Sequence, residues 1–134
     1  MDRVFLDANV LFSAAYREDS VISKLWNLKN VELFTSVYTL EEARRNLKTD
    51  ERIDRLEGLV KKMKVETLHP DIELPPNVNL PDKDLPVLVA AIHSGCSYLL
   101  TGDQRHFGEY FGKKVSGVLI MTPGDFIRKK SRRL

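Results

Sequence analysis

Three aspartates and a pair of glutamates in this chain have types and positions that could do chemistry. Asp7 closes the apolar run Val4-Phe5-Leu6, and Asp103 follows Tyr98-Leu99-Leu100 by way of Thr101-Gly102. Asp84 heads a stripe of Val87, Leu88, Ala91 and Gly95 whose helical spacing otherwise faces a core. Glu41 and Glu42 fall in the first turns of a helix predicted after Ser36, and periodicity leaves open which of them points inward. Each position also has a purely structural reading. Asp7 and Asp84 suit helix N-caps, Thr39 to Glu42 reads as a capping box, and Thr101-Gly102-Asp103-Gln104 forms turns readily.

The set says more than its members. Carboxylates gathered at one sheet edge repel each other, and some must protonate unless a cation intervenes. Oxygen-only ligands suit Mg²⁺ or Mn²⁺ and not zinc. A divalent ion so held orients a water, lowers its pKa and neutralises phosphate oxygens during in-line attack. The sequence offers no rival chemistry of similar quality. His69, His93 and His106 are scattered and read as surface or core histidines, and neither a P-loop glycine pattern nor a Gly-x-Ser-x-Gly elbow occurs.

The elements that must position these acids follow from patterning. Val4 to Leu6, Val31 to Thr35, Lys64 to Leu68, Tyr98 to Leu100 and Val118 to Ile120 read as strands. Helices are predicted over Ala8 to Tyr16, around Val21 to Trp26, from after Ser36 to about Leu47, and onward from a cap at Asp50 through Ile53, Leu56, Val60 and Met63. After the proline-rich breaker His69 to Lys83, a helix opens at Asp84 and stops at Gly95; a short one lies near Phe107 to Phe111, and Pro123 starts the last. Strands alternating with helices imply a three-layer α/β/α sandwich with a mainly parallel central sheet. Ligands in such sheets bind beyond the carboxyl ends of the strands, where Asp7 and Asp103 lie.

The bulk properties bound the alternatives. The 134 residues, 43% hydrophobic and 30% charged, fit one domain with one core. No apolar run is long enough to cross a bilayer, and the opening residues lack a signal-peptide pattern, so a cytoplasmic protein without membrane contact is expected. The lone Cys96 forms no intramolecular disulfide and no zinc site. Net charge is +2, but residues 128–134 hold five basic side chains, and the other 127 carry 16 Lys and Arg against 19 Asp and Glu. The expected organisation is a domain over residues 1–127 with a basic tail over 128–134, which either frays in solvent or attracts phosphate.

These motifs resemble those of the PIN domain family, in particular its small prokaryotic VapC-like ribonucleases. Val4-Phe5-Leu6-Asp7-Ala8-Asn9 is similar to the family's strand followed by Asp-Thr-Asn, with Ala8 in place of the usual threonine. Ser36 to Glu42 resembles the second motif, whose glutamate lies six after the serine and so selects Glu42. Asp84 with Ala91 resembles the third, with Asp82 a rival in the same stretch. Leu99-Leu100-Thr101-Gly102-Asp103 with Phe107 resembles the fourth. The resemblance implies a PIN-like fold and catalytic Asp7, Glu42, Asp84 and Asp103. Among these Asp7, Asp84 and Asp103 would hold Mg²⁺ or Mn²⁺; Asn9 and Thr101 would orient carboxylates or the phosphate, and Ser36 would stand with them on the substrate side. It further implies an endoribonuclease acting on single-stranded RNA, a small antitoxin protein as partner, and a homodimer.

Other classes stay open at this point. A PIN-like module could bind RNA or protein without cutting. An Asp-based phosphotransfer domain also places an aspartate after its first strand. The dehalogenase pattern, however, wants a second aspartate where Asn9 stands, and the receiver pattern wants adjacent acids before Asp7, which are missing. A DNA-directed flap-type nuclease needs more acids and more chain than this.

Overall fold

The computed structural model describes residues 1–67 and 73–131. Leu68, His69 and Pro70 of the expected strand end and breaker, and Arg132, Arg133 and Leu134 of the expected tail, lie outside the described residues.

The strands are β1 (Asp2–Leu6), β2 (Val31–Ser36), β3 (Lys64–Glu66), β4 (Tyr98–Leu100), β5 (Lys114–Val115) and β6 (Val118–Met121). The α-helices are α1 (Ala8–Tyr16), α2 (Val37–Leu47), α3 (Asp50–Val60), α4 (Leu85–His93), α5 (Gln104–Phe107) and α6 (Pro123–Ser131). The sheet runs β3-β2-β1-β4-β6-β5, with every neighbouring pair parallel except β5 and β6. Alternation along each strand divides the core. Val4 and Leu6 of β1, Leu33 of β2 and Leu100 of β4 pack under α1, α2, α3 and α6, while Phe5, Phe34 and Leu99 face α4 and α5. The expected three-layer, mainly parallel sandwich is the fold observed. None of the described helices is long and apolar enough to cross a membrane.

The order of strands makes the site. From β1 the chain moves outward to β2 and β3, then crosses to the other side of β1 to add β4. The direction of winding therefore reverses between β1 and β4, and a crevice opens there beyond their carboxyl ends. Phe5 and Leu6 pair with Leu99 and Leu100, so Asp7 and Thr101 emerge side by side. The Asp7 N–H closes the pair by donating to the Leu100 carbonyl at 3.0 Å.

Several expectations shift. The second helical stripe is a 3₁₀ helix, Val21–Asn27, capped by Ser20. The cap of α3 is Thr49, whose hydroxyl accepts from the Arg52 N–H, with Asp50 the first helical residue. The short helix near Phe107 starts at Gln104, because Asp103 caps it. Strand β5 is unanticipated. Ser116 and Gly117, both at positive φ (49° and 85°), turn it back onto β6 as a two-residue hairpin. Helix α6 crosses the boundary expected at residue 128. Arg128, Lys129 and Lys130 are helical, paired with Asp125, the Tyr98 hydroxyl and Asp2 respectively.

Candidate active site

Asp7 is the N-cap of α1 and only 3% exposed. Its Oδ1 accepts from the Ala8 N–H at 2.7 Å. Its Oδ2 accepts from the Thr101 hydroxyl at 2.8 Å and from Asn9 Nδ2 at 3.2 Å. Burial, the largest influence, pushes the carboxyl up to about 6. The Thr101 and Ala8 donors pull it down, while the charges of Asp84 and Glu42 push it up.

Asn9 and Thr101 hold this acid. The Asn9 side chain donates to Asp7 and to Thr101 Oγ1 and accepts the Gly102 N–H at 2.7 Å. A side chain at residue 102 would press on Asn9 Oδ1, since a Cβ there would lie 3.3 Å from it, so glycine lets the turn close. Thr101 Oγ1 also accepts the Asp103 N–H at 3.1 Å, which joins the loops after β1 and β4 into one network.

Asp84 stands at the N-cap position of α4 but forms no side-chain cap. Its backbone is helical (φ −97°, ψ −18°), whereas a capping side chain needs the extended conformation. The carboxyl turns to the crevice instead. Tyr38 on α2 fixes this stretch by donating its hydroxyl to the Lys83 carbonyl at 2.8 Å. Asp84 Oδ2 is buried and takes no hydrogen bond from the described residues, with His106 Nδ1 3.1 Å away. Burial raises the Asp84 carboxyl above its ordinary value; His106 lowers it, Asp103 raises it and Lys83 lowers it.

Asp103 uses Oδ1 to cap α5 at the His106 N–H, 3.1 Å away, and Oδ2 to meet His106 Nδ1 at 2.8 Å. Asp7, Glu42, Asp84 and Asp103 line one cleft of about 380 Å³, together with Asn9, Asn46, Lys48 and Lys83. The two rivals stand elsewhere. Glu41 is exposed and paired with Arg44, and Asp82 lines a separate, more apolar pocket beside Leu85 and Val89.

Thr101 orients the Asp7 carboxylate, and both Thr101 and Ser36 are buried away from the cleft. Thr101 is fully buried, with its hydroxyl committed to Asp7, Asn9 and Asp103. Ser36 is 4% exposed and caps α2, its hydroxyl accepting from the Thr39 N–H and bonded to Thr39 Oγ1. Asn9 alone of the three lines the cleft. The residue that sequence reasoning missed is His106. Its i, i+3 spacing from Asp103 was the available signal; its approach to Asp84 comes only from the fold. Cys96 is buried outside the cleft, and burial pushes its thiol up to about 12.

This arrangement fits a divalent cation. Four carboxylates share one cleft, and one buried carboxylate oxygen is left without a hydrogen bond from the described residues. Asp84, Asp103 and His106 each offer a donor atom within 4.8 Å of the others, close enough to share one ion.

Residues 3–105 match the family model of the PIN domain. No curated protein matches the chain. Among solved structures, a chain in the crystal structure of VapBC2 from Rickettsia felis bound to a DNA fragment from their promoter is similar in fold. The match has a TM-score of 0.62 at 12% identity and covers 90% of this chain and 98% of that one.

Proposed function

We propose that this chain, which belongs to the PIN domain family by a match over residues 3–105, is a metal-dependent endoribonuclease of the VapC-like kind. The observation that carries the reading is the convergence of Asp7, Glu42, Asp84 and Asp103 on one cleft at the switch point of the sheet. Asp7, Asp84 and Asp103 would hold Mg²⁺ or Mn²⁺. Such an ion, when bound, lowers the pKa of a water and neutralises charge on the scissile phosphate.

The chain's own residues do the rest. Thr101 and Asn9 fix the Asp7 carboxylate so that it need not reorganise during the reaction. Glu42, half-buried at the cleft wall, would accept a proton from the attacking water. Lys48 and Lys83, exposed at the rim, attract the RNA backbone to a cleft whose floor is acidic. The reading extends to a toxin restrained by a small antitoxin, in line with the likeness in fold to a VapBC2 chain; a cytoplasmic location and a second copy of itself as partner rest on the family resemblance alone.

The test is incubation of a mixed single-stranded RNA pool with the protein, with and without Mg²⁺ or Mn²⁺. Internal cleavage that needs the ion and is lost in Asp7→Asn supports the reading. Cleavage in the presence of chelator at the same rate contradicts it.

A further inference from the structure

The four carboxylates do not stand in equivalent surroundings. Both oxygens of Asp7 already accept hydrogen bonds, from Ala8 on one and from Thr101 and Asn9 on the other. Across the cleft, Asp84 is 8% exposed and its buried Oδ2 accepts none from the described residues. The group facing that oxygen is an imidazole. His106 Nδ1 lies 3.1 Å from Asp84 Oδ2 and 2.8 Å from Asp103 Oδ2. The ring is held from both ends of its residue, because Asp103 Oδ1 also accepts the His106 backbone N–H at 3.1 Å.

This is the donor set of a mixed nitrogen–oxygen centre. A carboxylate-only pocket suits Mg²⁺, a small hard ion that keeps to oxygen and retains several waters. An imidazole nitrogen is a softer donor that adds affinity for first-row transition ions and little for Mg²⁺. We infer that His106 Nδ1 joins Asp84 and Asp103 as a ligand of the divalent ion, and that this nitrogen makes the cleft favour Mn²⁺ over Mg²⁺. The inference rests on the metal-dependent reading above and sharpens it by naming a ligand that is not a carboxylate.

Binding can be read without any RNA. Full-length protein is loaded with Mn²⁺ and its electron spin echo is examined for coupling to a histidine nitrogen, with ¹⁵N-labelled histidine as the control. Mn²⁺ and Mg²⁺ affinities are then compared in wild type and His106→Ala. The expected result is a histidine nitrogen signal in wild type that disappears in the variant, with Mn²⁺ affinity falling about tenfold or more and Mg²⁺ affinity nearly unchanged. Should His106→Ala not fold, His106→Asn keeps a polar side chain at this position and is read the same way. Mn²⁺ bound without nitrogen coupling, or with coupling that survives substitution of His106, overturns the inference and leaves the carboxylate reading standing. Failure of wild type to bind either ion removes both.

Discussion

The two walls of the cleft are built on opposite principles. On the wall made by the loops after β1 and β4, Asp7 is saturated with donors and tied to Asn9 and Thr101. On the wall made by α4 and α5, Asp84 presents a buried oxygen with no hydrogen bond, and its surroundings are another carboxylate, Asp103, and an imidazole. The first wall is complete in protein alone and supplies rigidity. The second is electrostatically incomplete among the described residues, and in the proposed reading a cation completes it. Preorganisation thus rests mainly on the Asp7 wall, while the carboxylate oxygen left open for an ion lies on the Asp84 wall.

The largest expected effect is on catalysis, and there the walls should look alike. Asp7→Asn and Asp84→Asn should each lower RNA cleavage at least about a hundredfold, since removing even an outer partner of a metal site costs 10–100-fold. Single-turnover cleavage with saturating Mn²⁺ checks this.

Metal-free stability should separate them. Burial pushes the folded Asp7 carboxyl up to about 6 from its ordinary 3.8. Between those values the native state binds more protons than the unfolded one, so the wild-type protein loses stability as pH rises from about 4 to about 6. At pH 7 the accumulated cost is about 3 kcal/mol, two pK units at roughly 1.4 kcal/mol each. Metal-free Asp7→Asn should therefore be more stable than wild type at pH 7 by up to that amount, and the gain should vanish below about pH 4. Urea unfolding at both pH values reads it; a variant less stable at pH 7 would contradict this account of the Asp7 wall.

Thr101→Val should move stability the other way. It keeps the shape but removes the donor to Asp7 Oδ2 and the acceptor for the Asp103 N–H. The expected loss is about 1–3 kcal/mol at pH 7, smaller at low pH where Asp7 is protonated. The smallest effect lies outside the cleft. Ser36→Ala removes a cap worth about 1 kcal/mol, and cleavage per folded molecule should hold, because the Ser36 hydroxyl is buried in its bond to Thr39.

Much of this was legible in the chain. Val4 to Leu6 and Tyr98 to Leu100 are continuous apolar runs because both strands are buried on both faces, and such runs survive as a signal without knowledge of their partners. The acids that end them were therefore legible too. What escaped depended on tertiary placement or on very short elements. Two residues of β5 carry no period, and only the Ser116-Gly117 turn could have announced them. The choice between Asp82 and Asp84 hangs on how Pro81 to Asp84 turns into α4, where the Leu85 N–H donates to the Pro81 carbonyl. Thr101 and Ser36 carry hydroxyls that look available in a string of letters, and only the fold shows them spent on neighbours. His106 was passed over because a lone histidine reads as ordinary surface, and its second carboxylate neighbour lies in another helix.

The most direct test of the account is thermal melting of the metal-free protein against Mn²⁺, for wild type and Asp84→Asn at pH 7. At a hundred times its Kd, an ion that binds only the folded state stabilises it by about 2.7 kcal/mol. A variant with hundredfold weaker affinity gains only about 0.4 kcal/mol at the same concentration. The account predicts a clear rise in Tm for wild type and almost none for Asp84→Asn. A wild-type Tm indifferent to Mn²⁺, or an equal rise in both proteins, would contradict the claim that a cation completes the Asp84 wall.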